Sequence, residues 1–545
     1  MEDFREWGLT LAVFLPLVGA AIMMAFPKTD ETVHKTIALG TSLLVAVIGI
    51  VLLIDFDYDH ADQMQWAVSH DWIDIITTQY SLGIDGMSLP LVLLTMLITP
   101  LVIIYSWNHF PEPHNPKAFL ILILVLHTGM IGTFVARDLV LFFVFFEIVL
   151  LPMFFMIAVW GGENKKYASL KFFLYTLFGS ALMLVSFLAL FFLAGGETFS
   201  ITGLADAVAT NGVSRNAQLW IFGGMLLGFG IKVPIFPFHT WLPDAHTEAP
   251  TQGSVILAAV LLKLGTYGFV RIAIPILPEA AVAWSPWIGL LAVIGIIYGA
   301  LGCLAQTDMK RLIAFSSVAH MGFVMLGIAT LTDWGINAAV FGMVAHGLIT
   351  GMLFFVAGSV KERYHTLEIS RLGGLLVQAP RMGWILGFIS MASLGLPGLA
   401  GFWGEFPAIL AAYNPANGVP VTLFRVYMVI AALGTVLAAG YLLWLLQRTA
   451  FGTPPEEFAD DPHIVDTNRD EWLAWAPMLA LILAFGLFPG LIFNVTDPAV
   501  EANISECLSV DVEGDKSNFD VGLCERNGLE AALEDLGVEV AKAGK

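Results

Sequence analysis

The sequence predicts an all-α polytopic membrane protein that crosses the bilayer about fourteen times. One observation is composition, since 57% of the 545 residues are hydrophobic and only 13% are charged. Another is the repetition of apolar runs close to 20 residues long, the length that a helix needs to span the hydrocarbon core. The last is that prolines interrupt two of these runs, at Pro234 with Pro237 and at Pro397, and so predict broken helices. A soluble domain is excluded, because it has no such series of long apolar segments.

The apolar segments follow one another from the N-terminus to the beginning of a polar tail. The third begins in the polar run SLGIDGMS, and the twelfth is long and contains a proline. The predicted spans are 8–26, 37–54, 82–105, 118–135, 139–160, 172–194, 217–242, 252–273, 286–304, 310–330, 335–359, 382–411, 421–446 and 471–494.

The predicted spans fall into groups. The organisation is 1–117 with three helices, 118–273 with five, 286–446 with five, 471–494 with one, and a polar acidic tail at 496–545. The fourth helix of each five-helix group is the broken one. Repeats with an odd number of spans are inverted across the membrane, an arrangement typical of transporters with sites at half-helix ends.

The loop charges predict an orientation. Fourteen Lys and Arg residues lie in the short loops on one side of the predicted membrane and five on the other. The richer side is therefore cytoplasmic. The even number of spans then places both termini and the acidic tail outside, in the periplasm of a bacterium that has one. A net charge of −20 argues against nucleic acid as a partner.

The stretch from Gly228 to Lys263 breaks the rules for membrane helices. Lys232 lies in an apolar run just before the two prolines, and Lys263 lies near the middle of the next helix. A lysine at the bilayer centre costs about 3 kcal/mol on insertion scales. Intramembrane charge beside a broken helix indicates an ion pathway.

Four further ionisable residues lie inside predicted spans. Glu147 is in LFFVFFEIVLL, Glu405 is in LPGLAGFWGEF, and His320 and His346 are in SSVAHMGF and GMVAHGLIT. Each could instead line a polar helix interface, and buried histidines are often neutral and bonded to helix carbonyls. Together with the two lysines they favour a proton path, since buried carboxyl groups, lysines and histidines can exchange protons near neutral pH.

Other histidines are candidate ligands of a metal ion or a haem. His239, His246 and Glu248 resemble metal ligands only superficially, because prolines and a turn separate the two histidines, and His246 and Glu248 are predicted to shape the cytoplasmic mouth of the path. His127 is interpreted as structural. An alternative of another class is a haem held by His127, His320 and His346, although the sequence shows no pairing of ligands at matching depth.

The motifs resemble a known family. IKVPIFPFHTWLPDAHTEAPT with the following LLK, KRLIAFSSVAHMGF and the AHGL run are similar to the antiporter-like subunits of respiratory complex I (proton-translocating NADH–quinone oxidoreductase) and of Mrp-type cation/proton antiporters. The resemblance covers about residues 1–495. The glutamate at position 405 resembles the subunit M branch of the family (the mitochondrial subunit 4 homologues). Sister subunits usually have lysine at this position.

The resemblance implies roles for these positions. Glu147 and Lys232 would be a coupled pair on the uptake side, Lys263 the central proton carrier, His320 and His346 the onward connection, and Glu405 the exit residue. It implies no flavin (FMN), iron–sulfur cluster or quinone in this subunit, these being elsewhere in the complex. The implied partners are other membrane-arm subunits, including sister antiporter-like subunits on both sides, and the lipid bilayer. The alternative is a subunit of an Mrp-type sodium/proton antiporter.

The three cysteines exclude a cysteine-ligated metal cluster in the membrane. In an oxidising compartment Cys507 and Cys524 of the tail are predicted to pair, closing a loop of about 18 residues. Cys303, inside a predicted span, is expected to remain a free buried thiol.

Overall fold

The computed structural model describes residues 2–459 and 461–505. Cys507, Cys524 and most of the predicted tail lie outside the described residues, so the predicted disulfide stays a prediction. Cys303 is a buried free thiol, as expected.

The chain begins with two long helices, a β-hairpin and a shorter helix. These elements are α1 (Glu2–Met24), α2 (Glu31–Asp55), β1 (Gln65–Ile73), β2 (Thr78–Ile84) and α3 (Leu89–Tyr105). The prediction of a helix from residue 82 is wrong, because β2 pairs antiparallel with β1 through Ile84. Asp85 then accepts a hydrogen bond from the backbone N–H of Ser88 at 3.0 Å, which forms the turn that precedes α3.

The first predicted group of five contains one helix more than the hydrophobic runs suggest. It comprises α4 (Pro116–Val135), α5 (Leu139–Ile148), α6 (Leu150–Trp160), α7 (Lys165–Leu193), α8 (Ile201–Asn211), α9 (Arg215–Lys232) and α10 (Trp241–Glu248). The unpredicted helix is α8, which is too short to span a bilayer and begins where the Ser200 side chain accepts from the backbone of Gly203. The predicted break is present between α9 and α10, in residues 233–240.

The next helical rod lies in the centre of the protein. It runs through α11 (Thr251–Ile256), a π-helical segment (Leu257–Leu261), α12 (Leu262–Gly268), a second π-helical segment (Phe269–Ala273) and α13 (Ile274–Ile276). Its most apolar window is completely buried. The two π-helical segments flank α12, and such segments often occur at functional sites.

The second predicted group of five comprises the helices from α14 to α20. It comprises α14 (Pro278–Leu304), α15 (Met309–Ala329), α16 (Asp333–Tyr364), α17 (Leu375–Gln378), α18 (Pro380–Ser393), α19 (Ala400–Ala411) and α20 (Val421–Thr449). The predicted break at Pro397 is present between α18 and α19. The most apolar window of α16 is completely buried, so this helix shares the centre of the protein with the rod that contains α12.

The last predicted span, 471–494, is wrong at its end. Helix α21 (Arg469–Leu487) stops before Pro489, and a separate helix α22 (Gly490–Val500) follows. The polar tail predicted from 496 therefore begins inside α22, where Thr496 is buried. Proline lacks the N–H that would continue the first helix, which explains the interruption.

Eleven of the described helical stretches are long and apolar enough to cross a membrane, and α3 is a shorter apolar helix. The two broken helices fall outside that count, because α9 is long enough but not apolar enough and α18 and α19 are too short. The chain is thus a helical polytopic membrane protein, with a hairpin that the all-α prediction missed. The number fourteen and the inverted repeat remain predictions.

Candidate functional site

Lys263 is the buried centre of the site. It lies on α12, has no exposed surface, and donates through Nζ to the Ala258 carbonyl oxygen at 2.5 Å. Its Nζ also lies 2.7 Å from Nδ1 of His346 on α16. An ammonium donor requires an unprotonated Nδ1 there, so a neutral His346 carries its proton on Nε2. Nε2 has no hydrogen-bond partner in the protein.

His320 and Glu405 form a second pair. Nδ1 of His320, on α15, lies 2.5 Å from Oε1 of Glu405, on α19. The other ring nitrogen, Nε2, lies 3.1 Å from Oγ of Ser393 and 3.2 Å from the hydroxyl of Tyr441. Both nitrogens of His320 are therefore held, and its ring orientation is fixed by groups on three other helices.

The two pairs meet at a small cavity. The rings of His320 and His346 have centroids 6.0 Å apart. Both histidines and Glu405 line a cavity of about 20 Å³, roughly the space that one water needs. The Oε2 atom of Glu405 has no hydrogen-bond partner in the protein. The structure therefore places Lys263, His346, His320 and Glu405 in one sequence of neighbouring proton donors and acceptors.

A close helix crossing holds this cavity together. At Gly404 an added Cβ would lie 2.5 Å from Cα of Gly342, so glycine is needed where α19 crosses α16. The contact places Glu405, the next residue, beside the histidines.

Glu147 and Lys232 are neighbours without a direct bond. Lys232, the last residue of α9, is 3% exposed, and its Nζ makes no hydrogen bond. Nζ lies over the ring of Phe146, 4.8 Å from its centroid. Oε1 of Glu147 is likewise without a partner, although its carboxyl group acts electrostatically on Lys232. The predicted pair is adjacent, and an aromatic ring lies beside the ammonium group in place of a carboxylate.

The prolines produce the predicted interruptions. Pro234 and Pro237 lie in the irregular segment after Lys232, and Pro397 lies in the corresponding segment between α18 and α19. The indole Nε1 of Trp241 donates to the Ile231 carbonyl at 2.9 Å, which satisfies one backbone group that the first break frees.

Of the two residues predicted at the cytoplasmic mouth, Glu248 lies at the surface and His246 does not. Glu248 accepts from the backbone N–H of Asn164 at 3.0 Å and lines a surface cavity of about 250 Å³ together with Asp244 and Arg311. His246 is fully buried, and its ring stacks on Phe354 with centroids 4.4 Å apart. Two positions along a helix turn by about 200°, so residues 246 and 248 lie on opposite faces of α10.

The other two histidines lie outside the chain of neighbours. His127 is fully buried on α4, and neither ring nitrogen has a hydrogen-bond partner. His239 packs between the rings of Phe236 and Tyr298. The described residues contain no group of His, Cys, Asp and Glu arranged to hold a metal ion.

Sequence reasoning missed three side chains at or near the site. Ser393 and Tyr441 contact His320, and nothing distinguishes them in sequence from other polar residues of membrane helices. Lys310, counted among the loop cations, is 4% exposed and donates to the Ala249 carbonyl. Its position in the first turn of α15, two residues after the capping residue Asp308, was the available signal.

The fold and the buried, linked ionisable residues define the antiporter-like class of membrane transport subunits. Residues 136–431 match the family described as NADH:quinone oxidoreductase/Mrp antiporter, and residues 11–133 match the amino terminus of NADH-ubiquinone oxidoreductase chain 4. NADH-quinone oxidoreductase subunit M of Rhodobacter capsulatus is 40% identical over 510 residues, covering 90% of this chain and 95% of the relative. The chain belongs to the family of subunit M of NADH–quinone oxidoreductase.

Solved structures agree with this assignment. A chain of respiratory complex I from Thermus thermophilus superposes with a TM-score of 0.80 and 30% identity, covering 91% of this chain and 99% of that one. A chain of the Mrp complex from Dietzia sp. DQ12-45-1b superposes with a TM-score of 0.78 at 22% identity, covering 97% of this chain and 55% of that one. The second likeness shows a shared fold.

Proposed function

We propose that this chain translocates protons as a subunit of the membrane arm of an NADH–quinone oxidoreductase, driven by NADH oxidation and quinone reduction elsewhere in the complex. The observation that carries the proposal is a buried series of neighbouring ionisable side chains, which leads from Lys263 through His346 and His320 to Glu405. Each member can hold or release a proton, and each lies within hydrogen-bond distance of the next or shares a cavity with it.

The onward step begins at Lys263. A proton on Nζ is already directed at Nδ1 of His346. A neutral histidine that receives a proton on one nitrogen can release the proton of the other, which allows it to act as a relay. From Nε2 of His346 the water-sized cavity leads to His320 and to the unpartnered oxygen of Glu405. Ser393 and Tyr441 orient His320 for this transfer.

The uptake step involves Lys232 and Glu147. Lys232 is held by no hydrogen bond, so its proton is available to a neighbour. Movement of Glu147 toward or away from the ammonium group changes how strongly its negative charge stabilises the positive charge on Lys232. Glu248, in its surface cavity, lies at the predicted cytoplasmic opening of this half of the protein.

No redox group is proposed for this chain, and FMN, iron–sulfur clusters and quinone belong to other subunits of the proposed complex. His320 uses both ring nitrogens and His346 uses Nδ1 in the proton-transfer geometry. The proposed partners are the other membrane-arm subunits, including sister antiporter-like subunits. An Mrp-type antiporter is less well supported, since that structural match is 22% identical and subunit M relatives reach 40%.

The test is purification of the native complex followed by reconstitution into vesicles. We expect the chain to copurify with flavin-bearing NADH dehydrogenase subunits, and NADH oxidation to acidify the vesicle side that faces the outer loops. Copurification with a sodium-transporting complex that lacks flavin would contradict the proposal. Orientation is tested separately, since cysteines introduced in 161–171 and 361–371 should react only from the cytoplasmic side.

A further inference from the structure

Three acidic side chains and one buried amide lie together at the end of α16 that is opposite its basic residues. Asp333 is in the first turn of α16, Asp497 lies on α22, and Glu501 follows that helix. Lys361 and Arg363 mark the opposite end of α16. The loop charges place that basic end in the cytoplasm, so the acidic residues lie on the outer face.

The buried amide belongs to Asn337, which is 3% exposed. Its Nδ2 donates a hydrogen bond to Oδ1 of Asp497, so the side chain points into the acidic cluster. Its Oδ1 has no hydrogen-bond partner in the protein. A buried amide oxygen without a partner costs free energy, and this one, on an amide that is bonded to Asp497, is suited to accept a hydrogen bond from water or hydronium.

The three carboxyl groups act on one another as like charges. The charges of Glu501 and Asp497 act electrostatically on Asp333. Burial, and to a smaller extent the charge of Glu501, raise the pKa of Asp497. Among the described residues none of the three forms an ion pair with Lys or Arg. The nearby Arg271 is already bound to Asp85, at 2.5 and 2.6 Å. Carboxyl groups in this situation share protons that they exchange with solvent.

One face of α16 joins this cluster to the site around Glu405. Asn337, Phe341 and Ala345 are spaced by four residues and lie on the same face. Ala345 lines the cavity that contains Glu405, and eight residues of helix span about 12 Å. At the position between them, the ring of Phe341 contacts the ring of Phe493, tilted by 34° with centroids 4.9 Å apart. Phe341 is therefore the residue of this face that lies between the cavity and the acidic residues.

We propose that Asp497, together with Asp333 and Glu501, is the site at which translocated protons leave the protein, and that Asn337 positions the water through which they reach it. The inference rests on the proposed function. Glu405 gives its proton to water, the proton passes along water past Phe341 to the Asp497 carboxylate, and Asp497 releases it to the outer solution. The next proton from His320 restores Glu405, so every group regains its starting protonation state and no oxidant or reductant is required. Asn337 is a positioning residue, because an amide holds water without changing protonation.

The experiment compares variants of the assembled complex in vesicles, with rates expressed per assembled complex. Asn337→Leu and the triple variant Asp333→Asn, Asp497→Asn, Glu501→Gln should lower proton pumping and coupled quinone reduction by about tenfold, equal to about 1.4 kcal/mol in the barrier. NADH oxidation by an artificial acceptor should be unchanged. Asp497→Glu keeps a carboxylate and should retain pumping. Asn494→Ala, an exposed position on the same helix, is the matched control.

The solvent deuterium isotope effect on coupled turnover should rise in Asn337→Leu, which a merely structural role would not cause. Full pumping in the triple variant would overturn the release site. If Glu405→Gln still lowered pumping, the proposed function would stand without the release site. If Glu405→Gln also pumped fully, the route through Glu405 would fail, and the proposed function would lose the observation that carries it.

Discussion

Nζ of Lys263 lies 2.7 Å from Nδ1 of His346, and both side chains are buried. The other hydrogen bond of Nζ is to the Ala258 carbonyl, so among the described residues no carboxylate faces the lysine as an ion-pair partner. A buried ammonium without a counter-charge is costly, so Lys263 is suited to give up its proton, and the adjacent imidazole is the nearest acceptor.

Replacements at Lys263 distinguish a proton carrier from a fixed charge. Lys263→Met removes the ionisable group, and Lys263→Arg keeps a positive charge that is not released in proteins. We expect both variants to lose pumping and coupled quinone reduction by roughly 10²-fold, the scale on which positioned acids and bases contribute. Vesicle acidification and quinone reduction are the measurements. Wild-type pumping in the arginine variant would mean that Lys263 supplies only a structural charge.

Replacements at Glu405 test the last of the neighbouring ionisable side chains that begin at Lys263. Glu405→Gln keeps the shape of the side chain, but it removes the proton acceptor 2.5 Å from His320. We expect several-fold less pumping while the complex still assembles. Glu405→Lys should be less harmful, because a lysine can also take and release a proton. Native gel analysis establishes assembly, and full pumping in the glutamine variant would reduce Glu405 to a helix contact.

The crossing of α16 and α19 predicts a stability effect. A Cβ at Gly404 would be 2.5 Å from Cα of Gly342, and both positions are helix backbone that cannot move separately. Gly404→Ala should destabilise the protein by about 1–3 kcal/mol through overpacking. Gly440→Ala, where a Cβ meets nothing within 4 Å, is the control and should not lower the thermal midpoint, because a helix favours alanine over glycine. Equal thermal midpoints for the two variants would contradict the packing argument.

The loop after α3 contains a titratable contact on the predicted cytoplasmic side. Nδ1 of His109 lies 2.7 Å from Oε2 of Glu362. Burial lowers the pKa of His109, but the hydrogen bond and the charge of Glu362 outweigh it, so the pKa is raised. A histidine with a raised folded pKa stabilises the folded state fully below its unfolded pKa of about 6.5, and this contribution disappears as the pH rises through the folded pKa.

Hydrogen exchange measures this contact locally. His109→Gln should speed exchange in residues 106–115 relative to wild type at about pH 5.5, with little difference at about pH 8.5. His463→Gln, an exposed histidine with 82% of its side chain in solvent, is the control. An effect that is equal at both pH values would show that the contact does not depend on protonation.

Much of the site was predictable from sequence because lysine, glutamate and proline are costly inside apolar helices. That cost identified Lys232, Lys263, Glu147 and Glu405 without knowledge of the fold, and the prolines located both breaks. The contacts among these residues were not predictable. The bond between Lys263 and His346 joins residues 83 positions apart on different helices.

Other features were missed because hydropathy does not encode them. The hairpin before α3 is a pairing of two segments, and hydropathy alone joined the run SLGIDGMS to the apolar helix that follows it. Helix α8 is too short to give a membrane signal. Ser393 and Tyr441 became visible only once the helices that carry them were packed against His320.

The final prediction concerns Glu147 and Lys232, which are adjacent without forming a hydrogen bond. Nζ of Lys232 lies 4.8 Å from the centroid of the Phe146 ring, and Oε1 of Glu147 is unpartnered. Opposite charges 4 Å apart attract by about 4 kcal/mol at an effective dielectric constant of 20, so a short movement of Glu147 changes the support of a charge on Lys232 substantially. We expect Glu147→Gln and Lys232→Ala each to reduce proton pumping and coupled quinone reduction.

NADH oxidation by an artificial acceptor should survive in both variants, because it bypasses the membrane arm. The double variant should be little worse than either single variant, since residues that act as one unit have strongly non-additive effects. Phe146→Leu keeps both ionisable groups and removes only the ring beside Nζ, so it should retain more pumping than either charge variant. Fully additive losses from Glu147→Gln and Lys232→Ala would show that the two residues act separately, at two independent points of the proton path.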